Sequence, residues 1–177
     1  MNDHAVYPGP AKLEIWRDLP GPIERVWDYL VKSELRQKWI CAGAVSSEIG
    51  GPIVFEFDHT RLSTQPTPES HKGGGEHRMV GSVRVFDPPH QLAFSWPSAE
   101  GEAPTEVIIK LTETEEGVRL HLRHEQLTTT GNKSGASAGW HAHLDILKDI
   151  LTGQPGRDFW VHFLPLEQAY KLDLGEA

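Results

Sequence analysis

The segment from Ala136 to Gly153 constrains the fold more than any other part of the chain. Trp140, Leu144, Leu147 and Leu151 recur at helical spacing, flanked by His143 and Ile150, and so make one apolar stripe on a helix. Ser137 is placed to cap its start, and Gly153 followed by Pro155 to end it. Asp145, Lys148 and Asp149 fall on the other side, where water is expected. The stripe needs an apolar partner. Because the remaining sequence reads mostly as short strands, the partner it implies is a curved antiparallel sheet wrapped round this one helix.

Those strands can be placed by alternation. Lys12 to Leu19 carries Leu13, Ile15 and Trp16 and reads as the first. After Pro20-Gly21-Pro22, the residues Ile23, Val26, Trp27 and Leu30 predict a short amphipathic helix with Pro22 at its start. Ser33 is placed to cap a second one carrying Leu35 and Trp39. Val45 to Ile49 and Ile53 to Asp58 read as strands about a Gly50-Gly51 turn, with Phe55 and Phe57 on one face. Residues 59–77 are polar and rich in Pro, Gly, Ser and Thr, the composition of a disordered excursion more than of a lid. Strands resume at Arg78 to Phe86 and Gln91 to Trp96, then at Glu106 to Glu113 and Val118 to Glu125. Residues 128–135 read as a linker into the long helix. Beyond it, Phe159, Phe163, Leu166 and Tyr170 make a further helical stripe, which Pro165 should kink or break.

Size and charge narrow the possible partners. The 177 residues suit a single domain, 1–177, with a core at 12–153 and a helical extension at 154–177. Seventeen basic residues against twenty-five acidic ones, with no basic run, argue against a nucleic-acid partner. The lone Cys41 has no disulfide partner within the chain, and the N-terminus carries neither a leader pattern nor a membrane-length apolar run. A cytoplasmic protein with no membrane partner is the expectation.

The order strand, two short helices, a run of antiparallel strands and one long helix is the α+β helix-grip arrangement, here with six or seven strands and an extra C-terminal helix. Four motifs carry a resemblance: Pro20-Gly21-Pro22-Ile23-Glu24-Arg25-Val26-Trp27 with Trp39; Gly81 to Pro89 with Leu92-Ala93-Phe94-Ser95-Trp96; Leu122-Arg123-His124; and Gly139-Trp140 with Leu144 and Leu147. In that order they resemble the START-like SRPBCC superfamily, and within it the branch named for the C-terminal domain of the activator of heat-shock protein 90 ATPase. The usual double aromatic at the end of the second helix is here Trp39-Ile40. The resemblance implies a small hydrophobic or amphipathic ligand held between sheet and helix. The family name adds a chaperone partner and a stress role. The C-terminal stripe could also serve a homodimer.

Strand parity and the helical stripe select Phe55, Phe57, Phe94, Trp96, Leu122, His124, Trp140, His143 and Leu147 as candidate walls of that space, and the resemblance adds Trp39 at its edge. The plainer alternative is that the Phe and Leu side chains fill a solid core. His124 is the informative polar residue, since it continues an apolar strand face: it can bond a ligand, act as a general base in a cyclase, dehydratase or hydrolase, or sit satisfied inside the fold. His141 and His143 lie on different sides of the helix, His121 and His124 on opposite strand faces, and no Cys pair exists, so neither a metal nor another cofactor is expected. Cys41 has no recognisable catalytic partner and reads as a packed small residue.

Overall fold

The structure, a computed structural model, describes residues 3–72, 76–98 and 101–175. Seven antiparallel strands form one curved sheet: β1 Val6–Gly9, β2 Lys12–Leu19, β3 Pro52–Asp58, β4 Glu76–Asp87, β5 Gln91–Trp96, β6 Thr105–Thr114 and β7 Gly117–Glu125. Their order across the sheet is β1-β2-β7-β6-β5-β4-β3. Two short helices, α1 Ile23–Val31 and α2 Ser33–Arg36, follow β2, and two longer ones, α3 Thr130–Leu151 and α4 Phe159–Asp173, close the chain. This is the helix-grip arrangement that the sequence leads one to expect.

Alternation explains the register. On β2, Leu13, Ile15 and Leu19 point inward; on β7, Val118, Leu120, Leu122 and His124 do the same. A one-residue slip would turn all of them to water, so the pairing of Leu13 with His124 and Ile15 with Leu122 is strongly specified. The β6–β7 hairpin is closed by Glu115 and Glu116, with Gly117 at φ 149°. A side chain there would meet the Leu19 carbonyl at 2.3 Å, which only glycine avoids. Outside, Trp16 stacks on His121 with ring centroids 4.6 Å apart.

Several expectations need correction. Residues 45–49 form no strand: Val45 and Ala42 make only isolated bridges to Ile53 and Glu56. Ser33 does not cap α2, because its Oγ accepts instead from Gly43 N at 2.9 Å. α3 begins at Thr130, within the supposed linker. Ser137 is therefore interior, its Oγ donating to Lys133 O and contacting Tyr7 Oη at 2.8 Å. Gly153 does end the helix, at φ 76°, with Gln154 N reaching back to Asp149 O. α4 runs unbroken through Pro165, which lies on an exposed side where water can take the freed carbonyl. The β1 strand was hidden by its Pro and Gly.

Asp145 is buried, not solvated. α4 and the N-terminal segment cover the side of α3 that would otherwise face water, and β2 presents Arg17 to it from the sheet. Arg17 Nε donates to Asp145 Oδ1 at 2.7 Å, and Arg17 has no exposed surface. The consequence is a helix enclosed on nearly its whole circumference: Ala138, Ala142, Leu144, Ile146 and Leu147 are all at or below 1% exposure. Leu144→Ala should cost about 2–5 kcal/mol in urea denaturation. A loss well below that range would mean that α3 is not wedged in the core as described.

Candidate functional site

The inner half of the grip is filled. Phe55 packs against Phe94 and Trp96, and Arg36 lies over the Phe55 ring at 5.2 Å while donating to the carbonyls of Gly43 and Val54. Trp39 donates its indole N–H to Tyr29 O at 2.8 Å. Between these groups only about 20 Å³ is left. Leu122 and Leu147 have no exposed surface and belong to the same core. Trp39, Phe55, Phe94, Leu122 and Leu147 thus lie in the packed part of the interior, the place that the plainer alternative gives to the Phe and Leu side chains.

The outer half is open. A cavity of about 710 Å³ lies between the N-terminal half of α3, the ends of β3, β5 and β7, and α4. Phe57, Trp96, His124, Trp140 and His143 line it, which brings together five of the ten candidates. It exists because α3 carries small residues where it crosses this part of the sheet: Gly135, Ala136 and Gly139 are in the wall, and a Cβ built on Gly135 or Gly139 would meet nothing within 4 Å.

Sequence reasoning missed the cover. His59, Ser70, His71, Phe159, Trp160 and Phe163 complete the cavity. The segment 59–72, expected to be a disordered excursion, contains two short 3-10 turns and is fastened to α4. Asp158 does the fastening: it accepts from Ser63 Oγ, from Thr64 N at 2.6 Å and from Thr64 Oγ1 at 2.8 Å, and also caps α4 through Val161 N at 3.2 Å. Burial pushes the Asp158 carboxyl up, but these donors outweigh it and hold its pKa down to about 2. Phe159 N adds a bond to Leu62 O at 2.8 Å, and the Phe159 ring stacks on both His59 and His143. Residues 73–75, the three glycines of the expected loop, lie outside the described residues.

His124 is fixed in one tautomer. The indole of Trp140 can only donate, so the bond from its Nε1 to His124 Nδ1, at 3.1 Å, makes that nitrogen an acceptor. The proton therefore sits on Nε2, which donates to Thr105 Oγ1 at 2.7 Å, and Thr105 faces Trp96 O in turn. Burial lowers the His124 pKa to about 3. His143 is likewise held neutral by burial, with His59 adding to the effect, while Nδ1 donates to Trp39 O at 2.7 Å. Burial also raises the Cys41 thiol, and Arg36 Nη2 lies 3.1 Å from its sulfur. This is the packed small residue that was anticipated.

The arrangement is a partly open aromatic chamber in which Trp140, His124 and Thr105 bond one another. Among the described residues, no helix is long and apolar enough to cross a membrane. The fold recurs in solved structures. A Bordetella parapertussis protein determined by solution NMR matches over 96% of this chain and 90% of its own, with 32% identity and a TM-score of 0.82. CalU16 from Micromonospora echinospora matches over 92% and 86%, with 20% identity and a TM-score of 0.64. A conserved protein of unknown function from Enterococcus faecalis matches over 93% and 84%, with 15% identity and a TM-score of 0.67. At these identities the last two show the fold alone. No curated protein sequence matches the chain. The family model described as Activator of Hsp90 ATPase homolog 1-like protein matches residues 20–152, and the chain belongs to that family, within the START-like SRPBCC superfamily.

Proposed function

We propose that the protein binds a small hydrophobic or amphipathic molecule in the cavity under α4 and does not transform it. The observation that carries this reading is the chamber itself: about 710 Å³, walled by Phe57, Trp96, Trp140, Phe159 and Trp160. Pockets for small organic ligands commonly span about 300–1,000 Å³ and are lined in this way. A closed core would have had no such space. The polar residues Ser70, His71 and Lys72 also line it, and would suit the polar end of an amphipathic guest.

The alternative of a hydrolase, cyclase or dehydratase built on His124 finds less support. A general base must present a free lone pair to its substrate and have a pKa near the working pH. His124 gives one nitrogen to an indole and the other to a hydroxyl, and its pKa lies near 3. In an NMR titration, the His124 ring carbon-proton signals should therefore stay at their neutral positions from pH 8 down to about pH 5, as expected where the folded pKa is depressed below the unfolded value of about 6.5. An inflection near pH 6.5 would restore the catalytic reading.

Binding itself is tested in two ways. Native mass spectrometry of the protein purified from its source should show a co-purifying small molecule. In parallel, the fluorescent probe 1-anilinonaphthalene-8-sulfonate should bind the wild type and bind Gly139→Leu about tenfold more weakly, equivalent to roughly 1.4 kcal/mol. Leucine there grows into open space and improves helix propensity by about 1 kcal/mol, so the variant should fold at least as well. Equal probe binding by both proteins would place the probe elsewhere and remove the support.

A further inference from the structure

A second constellation lies on the flank of α3 that faces α4. His141 and Asp145 are one helical turn apart on α3, and His162 comes from α4. His141 Nε2 is 3.4 Å and His162 Nε2 is 2.8 Å from one and the same oxygen, Asp145 Oδ2. One ligand-type atom from each of the three residues lies within 4.8 Å of the other two. Two donors held about 2.0–2.1 Å from a tetrahedral zinc ion are about 3.3 Å apart, so His141 and Asp145 already have that spacing and His162 needs to open by about half an ångström.

The backs of two of these groups are held as metal ligands usually are. Tyr170 Oη is 2.9 Å from His141 Nδ1 and accepts from Ala5 N at 2.8 Å, while Arg17 Nε bonds the other oxygen of Asp145. When a metal takes the place of the Nε2 proton, the His141 proton can sit on Nδ1, facing Tyr170, and Nε2 then offers a lone pair to the ion. A positive group already stands over the same atoms. Arg157 Nη1 is 3.2 Å from Asp145 Oδ2 and 3.4 Å from His162 Nε2. Arg157 is also bonded to Asp149 through Nε at 2.7 Å and Nη2 at 2.8 Å, and is 40% exposed, so it can give up the Nη1 contact and remain anchored.

We propose that His141, Asp145 and His162 bind a divalent transition-metal ion of the zinc class, with Arg157 neutralising the carboxylate in the metal-free chain. The two-nitrogen, one-oxygen donor set suits zinc, cobalt or nickel more than calcium or magnesium. The pairing escapes notice in the sequence when His141 is matched with His143; its partner is four residues on, and the third ligand lies across a helix–helix contact. An ion here joins α4 to α3, and α4 carries Phe159, Trp160 and Phe163 of the cavity wall. Metal binding would thus fasten the cover in place.

The test is titration of the intact protein with Co²⁺, followed by visible absorption, with Zn²⁺ competition and equilibrium dialysis to count bound zinc. The expected result is a single ion per chain, affinity reduced about tenfold or more in His162→Ala, and affinity increased in Arg157→Gln, which removes the competing cation. Thermal denaturation should move upward with Zn²⁺ in the wild type and not in His162→Ala. His162 is only partly buried, so circular dichroism is expected to show that variant folded. Failure of the wild type to retain zinc, zinc retention unchanged in His162→Ala, or weaker binding in Arg157→Gln would each overturn the proposal.

Discussion

Leu144 and Leu147 on α3 share one core with Leu13, Ile15, Leu120 and Leu122 of the sheet, and none of these side chains keeps measurable contact with water. Burying each is worth roughly 1.5–3 kcal/mol. The sheet can curve because its concave face has this helix to close on, and the helix stays in place because Leu144 and Leu147 meet the sheet at one end. At the other end α3 offers Gly135, Ala136 and Gly139. One element therefore supplies both the solid part of the interior and the opening in it. The division is made by side-chain size along a single stripe.

How much of this was legible depended on distance along the chain. Period-2 alternation located β2 and β5 to the residue and put His124 on the inner face, because those patterns are local. Five of ten candidate wall residues line the cavity. The other five could not be told apart from them, since parity says that Phe55 and Phe57 share a face but not that the sheet closes on α3 at one and parts from it at the other. The Phe159 stripe was visible as a stripe, yet nothing local says whether it covers a helix, a sheet or another chain. Asp145 was assigned to water for the same reason. A helical wheel has no knowledge of the helix that later lies across it. One signal was available and overlooked: Arg17 interrupts the inward series Leu13, Ile15, Leu19, and a buried guanidinium requires a buried partner.

That partner, Asp145, fixes what apolar packing leaves free. A leucine stripe tolerates small rotations of a helix about its axis, whereas an ion pair at 2.7 Å does not. Separating the two charges would leave an uncompensated group in the interior, a cost of about 3–5 kcal/mol. His162 and Arg157 add donors to the same carboxylate from α4 and the segment before it. Burial works to raise its pKa, but the hydrogen bonds from His141 and His162 and the charge of Arg17 hold it far below the usual carboxylate range. The N-terminal segment is drawn in as well, since Arg17 also donates to Asp3 O and Tyr170 receives Ala5 N. Three parts of the chain remote in sequence thus converge on one anion.

The bonded series from Trp140 through His124 and Thr105 to Trp96 has an effect on what the chamber can discriminate. These groups satisfy one another, so the deep wall offers a visitor shape and ring faces rather than a pattern of donors and acceptors to match. Apolar surfaces tell molecules apart only coarsely, by about 1–3 kcal/mol for each methylene gained or lost. Under the proposed binding role, this part of the wall would sort guests by girth and flatness more than by their functional groups.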